Sequence, residues 1–306
     1  MSKAIQKISS LLPPLKKTLL ERGETPKFPL KSLPDFNRKV WGLRPGLCSI
    51  GGRTSQGKTA LALQIAWDYA SQGFPVVYFS LEMTANTLLE RLFCMAKRVD
   101  NFELLCGGLS KNLVIANKFT EFEKEVPANL YLVDGIGFDF KELHNAIELF
   151  PNPPKVVIVD YIQSIRSSFD ERLEINEYLR SFRALALKRE FVGIMVSQMN
   201  RVATTNEDKR PCLENFKSSG TLEEHSDMCL LLFWGYFYSK DEAKKNNYEI
   251  ILAKNNSGRT GTHEVIYKPE HYLFTEVGEG VSDEQVDKAK DIFGGSVVGQ
   301  DRAYCD

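Results

Sequence analysis

Gly52-Arg53-Thr54-Ser55-Gln56-Gly57-Lys58-Thr59 narrows what this chain can become more than any other segment. It fits GxxxxGK[ST]. The preceding Leu47-Cys48-Ser49-Ile50 reads as a short buried strand. From Lys58 to about Gln72, Leu61, Ile65, Ala66 and Tyr69 mark one face of a helix. Between a strand and a helix, the two glycines let backbone N–H groups curl around phosphate oxygens, and the helix start adds its positive end. Lys58 then reaches the β- and γ-phosphates, and the Thr59 hydroxyl ligates Mg²⁺. ATP and Mg²⁺ are therefore the expected ligands, held by a phosphate loop in an α/β domain.

The rest of the chain supports that class. Apolar runs at 75–80, 130–133, 156–160 and 192–197 alternate with helical patterns at 85–99, around 140–150 and through Ile175, Leu179, Phe182 and Ala186. Near-continuous apolar strands between helices imply a mostly parallel sheet covered on both faces. After Cys229 the helices thin out. The runs 229–233, 248–254, 263–268 and 272–276 predict an antiparallel extension at one sheet edge. Ile5, Ile8, Leu12, Leu15, Leu19 and Leu20 recur at helical spacing, with Pro13 and Pro14 expected to break or restart the helix. Its apolar face needs cover, either from its own domain or from a neighbour. The organisation expected is a linker helix and loop over 1–27, the ATPase domain over 28–277, and a polar tail over 278–306 with one helix near 283–293.

Three strand ends carry further chemistry. Val156-Val157-Ile158-Val159-Asp160 is an apolar run ending in a carboxylate, which at a carboxyl strand end lies beside the phosphate loop and holds Mg²⁺. Glu82 ends Phe79-Ser80-Leu81-Glu82-Met83. It is either the group that polarises the attacking water or a solvated residue at a helix entry. Gln198, in Val196-Ser197-Gln198-Met199-Asn200-Arg201, has the length and amide to sense a γ-phosphate, or serves as a loop hydrogen-bonder.

A net charge of −1 leaves nucleic-acid binding open, since basic groups can line one local path. Six scattered cysteines without CxxC spacing read mainly as buried free thiols of a cytoplasmic protein, with no zinc site. No run of eighteen apolar residues occurs, so no membrane span is expected.

Six ordered segments together resemble the ATPase domain of the DnaB family of replicative helicases, over about 28–277. They are Gly-Leu-Arg-Pro-Gly at 42–46, Phe-Ser-Leu-Glu-Met at 79–83, Val-Asp-Tyr-Ile-Gln at 159–163, Ser-Gln-Met-Asn-Arg at 197–201, Asp-Lys-Arg-Pro at 208–211 and Ser-Gly-Thr-Leu-Glu-Glu-His-Ser-Asp at 219–227. The resemblance implies a RecA-like fold and a hexameric ring holding ATP between subunits. It implies Glu82 as catalytic base, Asp160 as the Walker B carboxylate and Gln198 as γ-phosphate sensor. It also implies pore loops gripping single-stranded DNA by its phosphates. Lys217, Ser218 and Gly220 match the gripping loop, and Arg166 to Arg172 and Arg201 to Arg210 would flank the same channel. The absence of aromatic residues among the basic ones of the second loop argues for backbone contact rather than base stacking.

The sequence departs from the family in two places. Only some forty residues precede the ATPase region, enough for the linker helix that packs on the adjacent subunit; a primase-docking collar is not expected in this chain, and a separate collar, loader or primase protein is a candidate partner. In Ala253-Lys254-Asn255-Asn256-Ser257-Gly258-Arg259, the family's Lys-x-Arg keeps its lysine as Lys254, but Asn256 stands at the arginine-finger position. An amide cannot supply that charge. Arg259 substitutes, Lys254 acts alone, or turnover is slow; Arg259 is the expected replacement. The function expected is ATP-driven translocation on single-stranded DNA. The alternatives are an ATP-controlled regulatory ring that does not unwind, or a RecA-type recombination or loader ATPase.

Overall fold

The computed structural model describes residues 7–20, 26–150, 152–165, 171–200, 208–216, 221–245 and 247–278. The expected tail helix, Arg201, Lys217, Ser218 and Gly220 lie outside them, as do residues 166–170 of the first basic segment.

Nine strands form one sheet: β1 (Gly46–Gly52), β2 (Val76–Ser80), β3 (Leu130–Asp134), β4 (Val156–Asp160), β5 (Val192–Gln198), β6 (Met228–Trp234), β7 (Tyr248–Asn255), β8 (Gly261–Lys268) and β9 (Leu273–Glu276). Their order is β3-β2-β4-β5-β1-β6-β7-β8-β9. Pairing is parallel from β3 to β6 and antiparallel from β6 to β9. The parallel strands β1, β2, β4 and β6 are buried along their whole length. That explains their unbroken apolar runs, because both faces of a parallel sheet lie under helices. In β8 burial alternates, as it does where one face meets water.

The helices are α1 (Ile8–Leu20), α2 (Pro34–Val40), α3 (Lys58–Ser71), α4 (Ala85–Lys97), α5 (Asn101–Leu105), α6 (Gly108–Lys111), α7 (Leu113–Glu125), α8 (Phe140–Glu148), α9 (Glu171–Arg189), α10 (Thr221–His225) and α11 (Gly235–Ser239). α2, α3, α4 and α7 contribute to the apolar layer on one sheet face. α8, α9 and α10 contribute to the layer on the other. Local signals place the helix starts: Thr84 caps α4, Asn112 caps α7, and Asp139 with Glu142 forms a reciprocal capping box on α8. The last strand closes back on the first part of the domain. Glu276 accepts the N–H groups of Asp35 and Phe36 at the start of α2 and bonds His263 at 2.7 Å.

Several sequence expectations change. α1 runs through Pro13 and Pro14 as one helix, although each proline lacks the N–H that would bond one turn back. Every described residue of α1 whose burial is defined is exposed, so α1 does not pack on its own domain. Thr25 to Pro34 reads as loop, but Pro34 at the first helical position opens α2, which buries Phe36 and Val40. The segment between α4 and β3 holds three further helices. Cys48, Cys94 and Cys229 are buried, whereas Cys106 and Cys212 are exposed. Among the described residues, no helix is long and apolar enough to cross a membrane.

Candidate active site

The phosphate loop leaves the carboxyl end of β1 and enters α3. Gly57, at φ 74°, starts α3 in the left-handed region. A β-carbon there would lie 2.9 Å from the Phe274 ring and 3.2 Å from Tyr267, so both backbone and space demand glycine. Tyr248 donates its hydroxyl to the Gln56 carbonyl, fastening the loop to the antiparallel edge. Gln56 itself is buried, with its amide nitrogen unpartnered among the described residues.

Around this loop opens a cleft of about 670 Å³ lined by Thr54, Ser55, Gly57, Lys58, Thr59, Glu82, Asp160 and Gln198, which brings together the loop, both carboxylates and the glutamine singled out in the sequence. Lys58 Nζ donates to the Arg53 carbonyl at 3.0 Å. Burial holds its ammonium below the ordinary lysine value, opposed by the charges of Asp160 and Glu82. Asp160, at the end of β4, is 5% exposed. Burial pushes its carboxyl up, opposed by hydroxyls of Tyr78 and Thr59 and by the Lys58 and Arg91 cations. The Tyr78 hydroxyl donates to Asp160 Oδ2 at 2.6 Å. Glu82 follows β2 at the cleft surface, exposed and just ahead of α4. Gln198 Nε2 donates to Thr54 Oγ1 at 2.7 Å, so the strand-end glutamine touches the phosphate loop directly.

Part of this cleft was missed in the sequence. Arg91 on α4, with Asn101, Tyr161, Tyr267, Pro269 and Tyr272, completes its walls. The Arg91 guanidinium lies 4.9 Å over the Tyr272 ring. Arg91 belongs to no short motif, and its partner is far along the chain. The only available signal was a basic residue one helix face beyond Glu82.

Other candidates lie elsewhere. Lys254 on β7 pairs with Cys229 on β6, which pairs with Ser49 on β1. Strand spacings put it on the order of 14 Å from Gly52. Its ammonium donates to the Glu223 carbonyl at 2.6 Å. Asn256 donates its amide to Asp227 Oδ1 at 3.3 Å. Arg259 is exposed in the β7–β8 turn, its carbonyl accepting from the Asn255 amide. Arg210 makes a double hydrogen bond to Glu249, at 2.8 and 2.6 Å, and lies 5.2 Å over Phe233. Phe216, fully buried, bridges Met199 and precedes the 217–220 segment. A β-carbon on Gly51 would lie 2.7 Å from its ring.

Asp227 is the organising anion beside Asn256. It accepts from Arg183 at 2.9 and 2.6 Å and from the Leu47 N–H at 3.0 Å. Burial raises its pKa, but the Arg183 and Leu47 hydrogen bonds outweigh burial and the net shift is downward. A carboxyl held below its ordinary value stabilises the fold above pH about 4, and that contribution fades as pH falls through the folded value. Asp227→Asn is expected to cost about 2 kcal/mol at neutral pH, seen as a melting temperature lower by several degrees. The gap should narrow as pH falls below about 4. A gap that stays constant with pH would refute the charge-based account.

A phosphate loop at the carboxyl end of a central strand, with carboxylates and a glutamine from neighbouring strand ends, defines a RecA-like P-loop nucleoside-triphosphate-binding domain. The DnaB-like helicase C-terminal domain model matches residues 31–276. The chain belongs to that family. It is 30% identical over 251 residues to the replicative DNA helicase DnaB of Geobacillus stearothermophilus, covering 79% of this chain and 55% of that protein. Identity is 29% over 239 residues to the replicative DNA helicase DnaC of Bacillus subtilis, covering 76% and 52%. The chain thus spans about half the length of these relatives. Among solved structures, one of an ATPase domain superposes with a TM-score of 0.81 at 23% identity, covering 90% of this chain and all of that one. A DnaB-like replicative helicase described with its primase interactions gives 0.82 at 24%, covering 89% and 68%.

Proposed function

We propose that this chain hydrolyses ATP and uses the cycle to move along single-stranded DNA as a ring of identical subunits. The observation that carries the reading is the convergence of Lys58, Thr59, Glu82, Asp160 and Gln198 on one cleft at adjacent strand ends. Lys58 pairs with the β- and γ-phosphates, Glu82 accepts the proton of the attacking water, and Gln198 senses the γ-phosphate. The hard oxygen donors of Thr59 and Asp160 suit Mg²⁺, which supplies charge neutralisation on the phosphates when bound. Arg91, Tyr267 and Tyr272 offer flat surfaces for a nucleobase.

The nucleotide is proposed to lie between subunits. Lys254 sits on the order of 14 Å from Gly52, and Asn256 and Arg259 follow it beyond the end of β7 remote from Tyr248, so they are proposed to serve a neighbour's loop. Lys254 and Asn256 are engaged within their own chain, which favours Arg259 as the group offered across the interface. DNA contact is proposed for Lys217, Ser218 and Gly220, and for Arg201 and Arg210. Steady-state hydrolysis with and without single-stranded DNA, recorded with oligomer mass, tests the reading. It fails if DNA neither stimulates turnover nor binds in a salt-sensitive way. A second reading, an ATP-controlled ring that does not unwind, draws on the neutral Asn256. It fails if the protein separates a forked duplex.

Ring assembly has a physical handle. α1 exposes Ile8, Leu12, Leu15 and Leu19, and the α5–α7 region exposes Phe102 (67%), Leu105 (78%), Leu113 (82%) and Val114 (62%). Isolated domains rarely leave this much clustered apolar surface uncovered. The α1 stripe is proposed to cover the patch of an adjacent subunit. A Leu12→Asp/Leu15→Asp protein is expected to weaken assembly by about 100-fold or more, read as loss of the high-mass species by light scattering. An unchanged mass would exclude this contact.

A further inference from the structure

Gln163 follows β4 in a short 3-10 turn, Ile162–Ser164, and does not line the nucleotide cleft. Its position matters because of where two strands part. β4 pairs with β5 only as far as Val159 opposite Met195, whereas β1 continues along β5 to Gly52 opposite Gln198. Beyond Met195, Gln198 therefore has, among the described residues, a strand neighbour on one side only. Gln163 supplies the other. Its Oε1 accepts the Gln198 N–H at 3.2 Å, and its Nε2 donates to Ser197 Oγ at 2.7 Å and, more weakly, to the Gln198 carbonyl at 3.4 Å. One carboxamide thus grips the Gln198 peptide as a further rung of sheet would, while Gln198 reaches forward to Thr54.

We infer that Gln163 is a positioning residue for hydrolysis: it fixes the backbone of Gln198 so that the sensing amide stays aimed at the phosphate loop. The inference rests on the proposed ATPase activity. Gln163 lies outside the cleft lining and reaches the loop by way of Gln198, so its loss is expected to change the rate of the chemical step more than nucleotide capture by the loop. Misplacing a group by about 1 Å costs on the order of 100-fold in rate.

The test is a double-mutant cycle on the full chain with ATP. Gln163→Met keeps the side chain's length and removes both hydrogen-bonding atoms. It is expected to lower kcat by about 10- to 100-fold, with KM and the affinity for a fluorescent ADP analogue little changed. Gln163→Glu keeps the acceptor for the Gln198 N–H and should fall between parent and Gln163→Met. Adding Gln163→Met to Gln198→Ala should cost little more than Gln198→Ala alone, because both changes remove one interaction. A Gln163→Met protein with parental kcat overturns the inference, and so does a double variant whose losses multiply. If Gln163→Met fails to fold, Gln163→Glu with parental kcat overturns it equally. A parent chain without turnover overturns the functional reading, and the inference with it.

Discussion

A Lys58→Ala protein is expected to lose ATP turnover by on the order of 10³-fold while keeping its fold. Lys58 is a partly buried cation of the cleft, donating to the Arg53 carbonyl and acted on by the charges of Asp160 and Glu82. Burial works against its charge and is only partly offset by Asp160 and Glu82, so negative oxygens entering the loop would offset it further. The lysine is therefore expected to act on the phosphates more than on stability, and thermal melting of the nucleotide-free protein should move little. Phosphate release is the measurement. A variant that keeps more than a tenth of the parental rate would remove Lys58, and the loop with it, from the proposed chemistry.

The second large effect is expected at Arg259. Arg259→Ala should reduce kcat by about 10³-fold or more and leave nucleotide affinity nearly unchanged, because the proposed role of the guanidinium is to stabilise charge that develops only in the transition state. Its placement in the β7–β8 turn, at the opposite end of β7 from Tyr248 and the phosphate loop, adds a sharper test. Arg259→Ala and Lys58→Ala chains are each expected to be nearly inactive alone, but mixed rings of the proposed kind would contain sites with an intact lysine from one chain and an intact arginine from the other. Mixing should restore part of the rate. Rates that never exceed those of the separate variants would contradict a shared site and return attention to Lys254.

The legible and illegible parts of the structure differ in the range of interaction that decides them. The phosphate loop, the apolar run ending at Asp160 and the strand runs are local patterns, and the sheet places each near its expected position. The antiparallel edge was also readable, from the thinning of helices after Cys229. α2 was overlooked although Pro34 announced it, because its seven residues are too few to show a period. α5 and α6 were missed for the opposite reason: Phe102, Leu105 and Leu109 face water, so their spacing marks no buried face. Arg91 depends on Tyr272, a partner supplied by the β8–β9 turn. In the sequence Gln163 is only a letter of a motif. Its contacts follow from β4 and β5 diverging at Val159 and Met195, a fact of pairing that no single segment contains.

The seating of Phe216 on Gly51 ties two distant codons together. One ring edge occupies the volume where any larger residue at 51 would place its first carbon, and Met199 Sδ, 3.0 Å from that point, blocks the way aside. The two positions behave as one fixed volume, in which either can grow only as the other shrinks. A change from Gly51 to alanine is thus tolerable mainly in company with a slimmer side chain at 216. Variation accumulating at one of them alone would be felt first at the mouth of the phosphate loop.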